Sequence, residues 1–150
     1  MYHSIIFEKQ ENGKTVKKNT WADWRLIPTS RPFVSMPSIN EKYVDIPGRS
    51  GTLDLSNYLT GGLTYSDRTG SFTFYVHPDY IKNWESIRTQ IAQFLNGSVI
   101  KMTLEDDINN YYEGRIMFKD WNSGNFSQVT IDYHVGPYKY SASNRNKVSL

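Results

Sequence analysis

From Gln128 to Val135 polar and apolar residues alternate without a break. As an extended strand, Val129, Ile131, Tyr133 and Val135 share one face, and Gln128, Thr130, Asp132 and His134 the other. A period of two belongs to a pleated strand with one face covered and one left polar. Tyr111 to Trp121 precedes it with the same character, and Asn122-Ser123-Gly124-Asn125 between them offers residues that tolerate positive φ. This predicts a hairpin over Tyr111–Trp121 and Phe126–Val135. Antiparallel sheet is therefore the expected framework.

Other segments fit that frame. Tyr2 to Phe7 reads as a strand, followed by an exposed turn at Asn12-Gly13. Phe72, Phe74 and Val76 share one face of a strand over Ser71–Val76, and Ser98–Leu104 reads as another. The one helix expected lies at about 79–96, with Asp79 as N-cap and Gly97 past its end. Ile81, Trp84, Ile87, Ile91, Phe94 and Leu95 make its apolar stripe, and Lys82, Glu85, Arg88, Thr89 and Gln93 its polar side. Pro28, Pro32, Pro37 and Pro47 break up the segment between. Proline fixes φ and lacks an N–H, so this stretch is expected as an extended arm rather than a central strand. The predicted class is α+β and mainly antiparallel β: a β-sandwich or split barrel with one amphipathic helix and a Pro-rich arm. The 150 residues suffice for one domain. Residues 1–138 are expected to form it, with 139–150 as a polar tail.

Few chemistries are encoded. The chain has no cysteine, which excludes disulfides and cysteine-ligated metals. His3, His77 and His134 lack the spacing that presents two ligands on one helix face. Asp132 and His134 are close enough to touch, but no nucleophile accompanies them. Glu105-Asp106-Asp107 lacks the alternation and glycine of a calcium loop. Pro47-Gly48-Arg49-Ser50-Gly51 is shorter than a phosphate loop and lacks its Lys-Ser/Thr pair, so a tight turn is the expectation. No catalytic, metal or cofactor site is expected. Net charge is +2, too balanced for binding nucleic acid through clustered cations. Lys14-Thr15-Val16-Lys17-Lys18 and Arg145-Asn146-Lys147 read as solvated charge. No signal peptide or membrane span is visible, so a soluble protein is expected.

Aromatic residues make up 15% of the chain, with 11 tyrosines and 4 tryptophans. Such rings suit half-buried sheet surfaces and protein interfaces. The alternative is a carbohydrate-binding module that stacks Trp21, Trp24, Tyr58, Tyr65, Tyr111 or Tyr112 on sugar rings.

Three segments carry a resemblance: Thr20-Trp21-Ala22-Asp23-Trp24-Arg25-Leu26-Ile27-Pro28-Thr29-Ser30-Arg31-Pro32; Tyr43-Val44-Asp45-Ile46-Pro47-Gly48-Arg49-Ser50-Gly51-Thr52-Leu53-Asp54-Leu55-Ser56; and Asp67-Arg68-Thr69-Gly70-Ser71-Phe72-Thr73-Phe74. With the Trp84 helix and Tyr112-Glu113-Gly114-Arg115, this series resembles the N-terminal domain of siphophage distal tail proteins from phages and prophages of Gram-positive bacteria. The resemblance implies a homo-hexameric ring that connects the tail tube to the tail-tip hub, or baseplate, and its adhesion machinery. Its partners would be the tube protein, a tail-associated hub or lysin protein, and DNA passing through the lumen without specific binding. It implies a place at the virion tail tip after assembly in the host bacterial cytoplasm, and no membrane partner. Another component of the same fold, a tube or hub protein, is the alternative within that class. The candidate oligomer interface is Trp21, Trp24, Pro28, Arg31, Pro32, Tyr43, Arg49 and Leu53. Longer members continue into a second, often galectin-like domain, so this chain is expected to be the ring-forming part, as a short form or a fragment.

Overall fold

The computed structural model describes residues 2–56, 61–122 and 128–150, with the side chains of 120–122 left aside. The elements are β1 (Ile5–Glu11), β2 (Lys14–Asn19), β3 (Leu26–Pro28), β4 (Tyr43–Asp45), β5 (Thr52–Asp54), β6 (Arg68–Val76), helix α1 (Trp84–Phe94), β7 (Asn96–Leu104), β8 (Asn110–Asn122), β9 (Gln128–Val135), β10 (Lys139–Ser141) and β11 (Lys147–Ser149). The main sheet runs β2-β1-β7-β8-β9-β6-β3, antiparallel at every step. It curls into a half-barrel, and β8 carries a bulge between Phe118 and Asp120. β4 and β5 pair only with each other.

The alternation seen in the sequence builds the core directly. Ile5 and Phe7 of β1, Ile100, Met102 and Leu104 of β7, and Tyr112 and Ile116 of β8 are buried on one face. Val129, Ile131, Tyr133 and Val135 of β9 and Phe72, Phe74 and Val76 of β6 complete it. The Asn12-Gly13 turn joins β1 to β2, with φ of 51° and 78° and Glu11 opposite Lys14, as a two-residue hairpin of opposite twist requires. The turn expected at Asn122-Ser123-Gly124-Asn125, with Phe126, falls mostly outside the described residues.

The helix covers part of this face. A 3-10 turn, Pro78–Asn83, runs into α1 to give one helix of 17 residues. Asp79 therefore lies inside the 3-10 turn rather than capping an α-helix; His77 holds the cap position, its Nδ1 accepting from Asp79 N at 3.2 Å. Ile87, Ile91 and Phe94 are buried as the stripe predicts, but Trp84 is 37% exposed. At the first residue of α1 it stays more than a third exposed, so it is not the buried anchor its spacing suggests. The helix end is held by Lys9, whose ammonium donates to Phe94 O at 2.9 Å and lies 4.6 Å from the Phe94 ring. A cation here answers the partial negative charge of the last carbonyls.

The Pro-rich arm covers another part. The extended arm expected from the prolines packs at its root on its own sheet. Pro32 and Val34 are buried, and Ser35 N donates to the Tyr133 hydroxyl at 2.9 Å. Ser35 Oγ donates to Thr69 O at 2.9 Å, and Asn40 N and Ser66 N bond across to Thr64 O and Ser38 O. Beneath it Arg68, 2% exposed, gives its guanidinium to Pro137 O and Ser35 O and lies 5.1 Å from the Tyr112 ring. A buried cation must be satisfied, and carbonyls from two distant segments do so here.

Residues 139–150 add nothing to the buried core but are not a bare tail. β10 pairs with β11 and, through Tyr140 opposite Tyr111, with β8. The two rings stack at 5.7 Å.

Candidate assembly surfaces

The eight residues proposed as an interface do not form one patch. Trp24 is fully buried, 6.2 Å from the Phe7 ring and 6.0 Å from Phe94, so it belongs to the core and not to a surface. Trp21 stacks on Tyr2 at 3.9 Å, with the Arg25 guanidinium 5.1 Å from its ring. Pro28, Arg31 and Pro32 lie at the root of the arm. Tyr43, Arg49 and Leu53 lie on or at the tip of the β4–β5 hairpin, where Tyr43 faces Asp54 and Val44 faces Leu53.

Arm and hairpin expose what sequence reasoning missed. Phe33, between the buried Pro32 and Val34, is 73% exposed, and Met36 is 70% exposed. Every residue from Ser38 to Thr52 is exposed. Pleating divides the hairpin into an apolar side, with Val44, Ile46 and Leu53, and an acidic side, with Asp45 and Asp54 around Tyr43. Glu41 and Asp54 raise the Tyr43 pKa by their negative charge. Asp54 is held below the usual carboxylate range by hydrogen bonds from Ser56 Oγ and N. Gly48 and Gly51 have φ of 80° and 78°, and Arg49 N bonds Ile46 O at 3.1 Å. The Gly-rich motif is thus the turn of this hairpin. Between the arm and β6 runs a groove of about 260 Å³, lined in part by Arg31, Phe33, Ser71 and Tyr133.

The face of the main sheet turned from the core is mostly polar and mixed in sign, with Val99 and Met117 exposed among its polar residues. Lys17, Glu8, Lys101 and Glu113 form a row across β2, β1, β7 and β8. Arg115, His134 and Thr69 form another across β8, β9 and β6. His134 pairs with Asp67 at 2.9 Å, while Asp132 stands opposite Met117 and Ser71.

The acidic turn Glu105–Asp107 fastens three distant segments. Glu105 accepts from Ser4 N at 2.6 Å. Asp106 takes Arg31 Nε and His3 Nδ1, each at 2.9 Å. Asp107 takes Lys139 Nζ at 2.9 Å and Asn110 Nδ2 at 2.8 Å. The hydrogen bond from Arg31, then that from His3, holds the Asp106 carboxyl below its ordinary range. Burial pushes Asp107 up, but the bonds from Lys139 and Asn110 outweigh it and leave it lowered. Each carboxylate thus serves a different protein partner. Among the described residues no group of three His, Cys, Asp or Glu side chains is placed to hold a metal ion.

The proposed sugar-stacking rings turn to their own chain. Tyr65 meets Tyr138 edge-on at 6.2 Å, Tyr111 and Tyr112 are buried, and Tyr58 falls outside the described residues.

No protein-family model matches the chain, and no curated protein matches it. Among solved structures, the fold is similar to that of the Dit (gp 19.1) protein of phage SPP1, with a TM-score of 0.56 and 18% identity over 90% of this chain. The match covers 52% of the SPP1 protein, so the chain spans about half its length. That protein is reported as a paradigm of the hub adsorption apparatus in phages infecting Gram-positive bacteria. At this identity the shared property is the fold: a Dit-like, curled antiparallel half-barrel with one helix on it.

Proposed function

We propose that the chain is a non-catalytic structural subunit of a long-tailed phage or phage-derived particle. In this reading it closes with copies of itself, six in the family it resembles, into a ring between the tail tube and the tail-tip hub. It is assembled in the bacterial cytoplasm and resides in the virion tail. The observation that carries the reading is the Dit-like half-barrel over nine-tenths of the chain. Two features support it. The sheet face turned from the core is mostly polar and its rows carry both signs, which suits a passage for DNA that must not hold it. The arm and hairpin expose apolar side chains that a lone subunit leaves in water. Among the described residues no helix is long and apolar enough to cross a membrane.

The test is the mass in solution by light scattering over a wide concentration range, with imaging of the largest species. Closed rings are expected. A chain that stays monomeric throughout and binds glycans would overturn the reading in favour of a carbohydrate-binding module.

A further inference from the structure

We infer that in this ring the β4–β5 hairpin of one copy docks on the β2 edge of the next, acidic side to lysines. The inference rests on the ring reading and names the surfaces that would join.

Among the described residues the hairpin has no partner strand within its own chain. Two strands alone are marginal in water, and here β4 and β5 pair with each other and with no other described strand, while Tyr43, on the acidic side, is 51% exposed. Its acidic side gathers Asp45 and Asp54 around Tyr43, with Glu41 close enough to act on the same phenol. Lys42 and Arg49 are the basic residues of this segment, Lys42 on the opposite parity and Arg49 in the turn.

The complement lies on β2. This strand ends the sheet, so its outer row of N–H and C=O groups has no strand beside it. Lys14 and Lys18 project on one side of it and Lys17 on the other. Lys17 is 3.8 Å from Glu8, and neither Lys14 nor Lys18 has an ion pair among the described residues.

Placement fixes the geometry of the contact. The hairpin grows from the arm, which is bonded to β6 through Ser35 and Thr69 and through Thr29 and Thr73. β6 and β3 form one end of the sheet and β2 the other. A contact that joins opposite ends of one sheet is head-to-tail, so it repeats from copy to copy and closes wherever the rotation closes. A self-matching patch would stop at two copies.

The test is charge reversal. One variant carries Lys14→Glu and Lys18→Glu, with Lys17 kept because it faces the other way beside Glu8; a second carries Glu41→Lys and Asp45→Lys. Asp54 is left alone because it orders Ser56. The second should melt like the parent and the first only slightly below it, since its new carboxylate at position 14 stands opposite Glu11. Self-association of each alone should weaken by about tenfold or more. It should return when the two are mixed in equal amounts, since each then offers the charge the other lacks. Unchanged association of either variant, or a mixture no better than its parts, would overturn the docking and leave the ring reading intact. A parent that folds but never associates at any concentration would overturn both.

Discussion

Two hairpins in this chain share a sequence pattern and differ in fate. In β8–β9 the alternating residues Val129 and Ile131 are fully buried; in β4–β5 the alternating Val44 and Ile46 are 37% and 39% exposed. The difference lies in what stands opposite. The β8–β9 face lies in a core roofed by α1 and the arm, whereas among the described residues nothing roofs the β4–β5 face. Alternation therefore tells that a strand has a face to cover, not whether the cover belongs to the same molecule.

Breaking the covered hairpin should cost most. Ile131→Ala opens a cavity in a filled core and should lower stability by about 2–5 kcal/mol in chemical denaturation. Gly114→Ala should come next, at about 1–3 kcal/mol. A Cβ there would meet the backbone of β9, 2.5 Å from Val135 Cα and closer still to His134 O. Trp84→Ala should cost only about 1 kcal/mol, well below a buried tryptophan, because the side chain lies at the edge of the core. A loss of 3 kcal/mol or more, roughly the cost for a buried ring, would place it in the core after all.

Acidification probes the arm between the two hairpins. Asp106 has a lowered pKa in the folded chain, so its contribution is present above the unfolded value and is lost as pH falls through the folded one. The protection of amides at residues 29–38 against exchange, taken relative to their intrinsic rate at each pH, should fall over that acid range, and Asp106→Asn should remove this pH dependence. The smallest effect belongs to the uncovered hairpin. Tyr43→Ala, on the side proposed to dock, should change the stability of the isolated chain by no more than about 0.5 kcal/mol, yet lower that of the assembled form. Equal shifts in both states would erase the contrast between the hairpins.

Sequence reading succeeded where one local period decides the outcome. β6, β9 and the Ile87–Phe94 part of the helix are legible because each residue's face follows from its neighbours' spacing. It failed where a distant segment decides. Lys9 and Arg68 look like surface cations until α1 and the loop at Pro137 bring carbonyls to them. Trp24 sits in a motif that invites an interface reading, and only the joining of β1 and α1 around it makes it core. Phe33 carries a signal in its alternation with Pro32 and Val34, but the prolines mask it as loop, and Met36 breaks the alternation. The strands β10 and β11 are short and polar, and β10 gains its place through pairing with β8 more than twenty residues away.

The acidic turn that receives Ser4, Arg31 and Lys139 brings the neighbourhood of residue 3 and the β10–β11 pair to one corner of the molecule. A handle attached at either end would leave from that corner. The chain could then be tethered to a surface or label by either end, and its orientation on a support would be much the same from both.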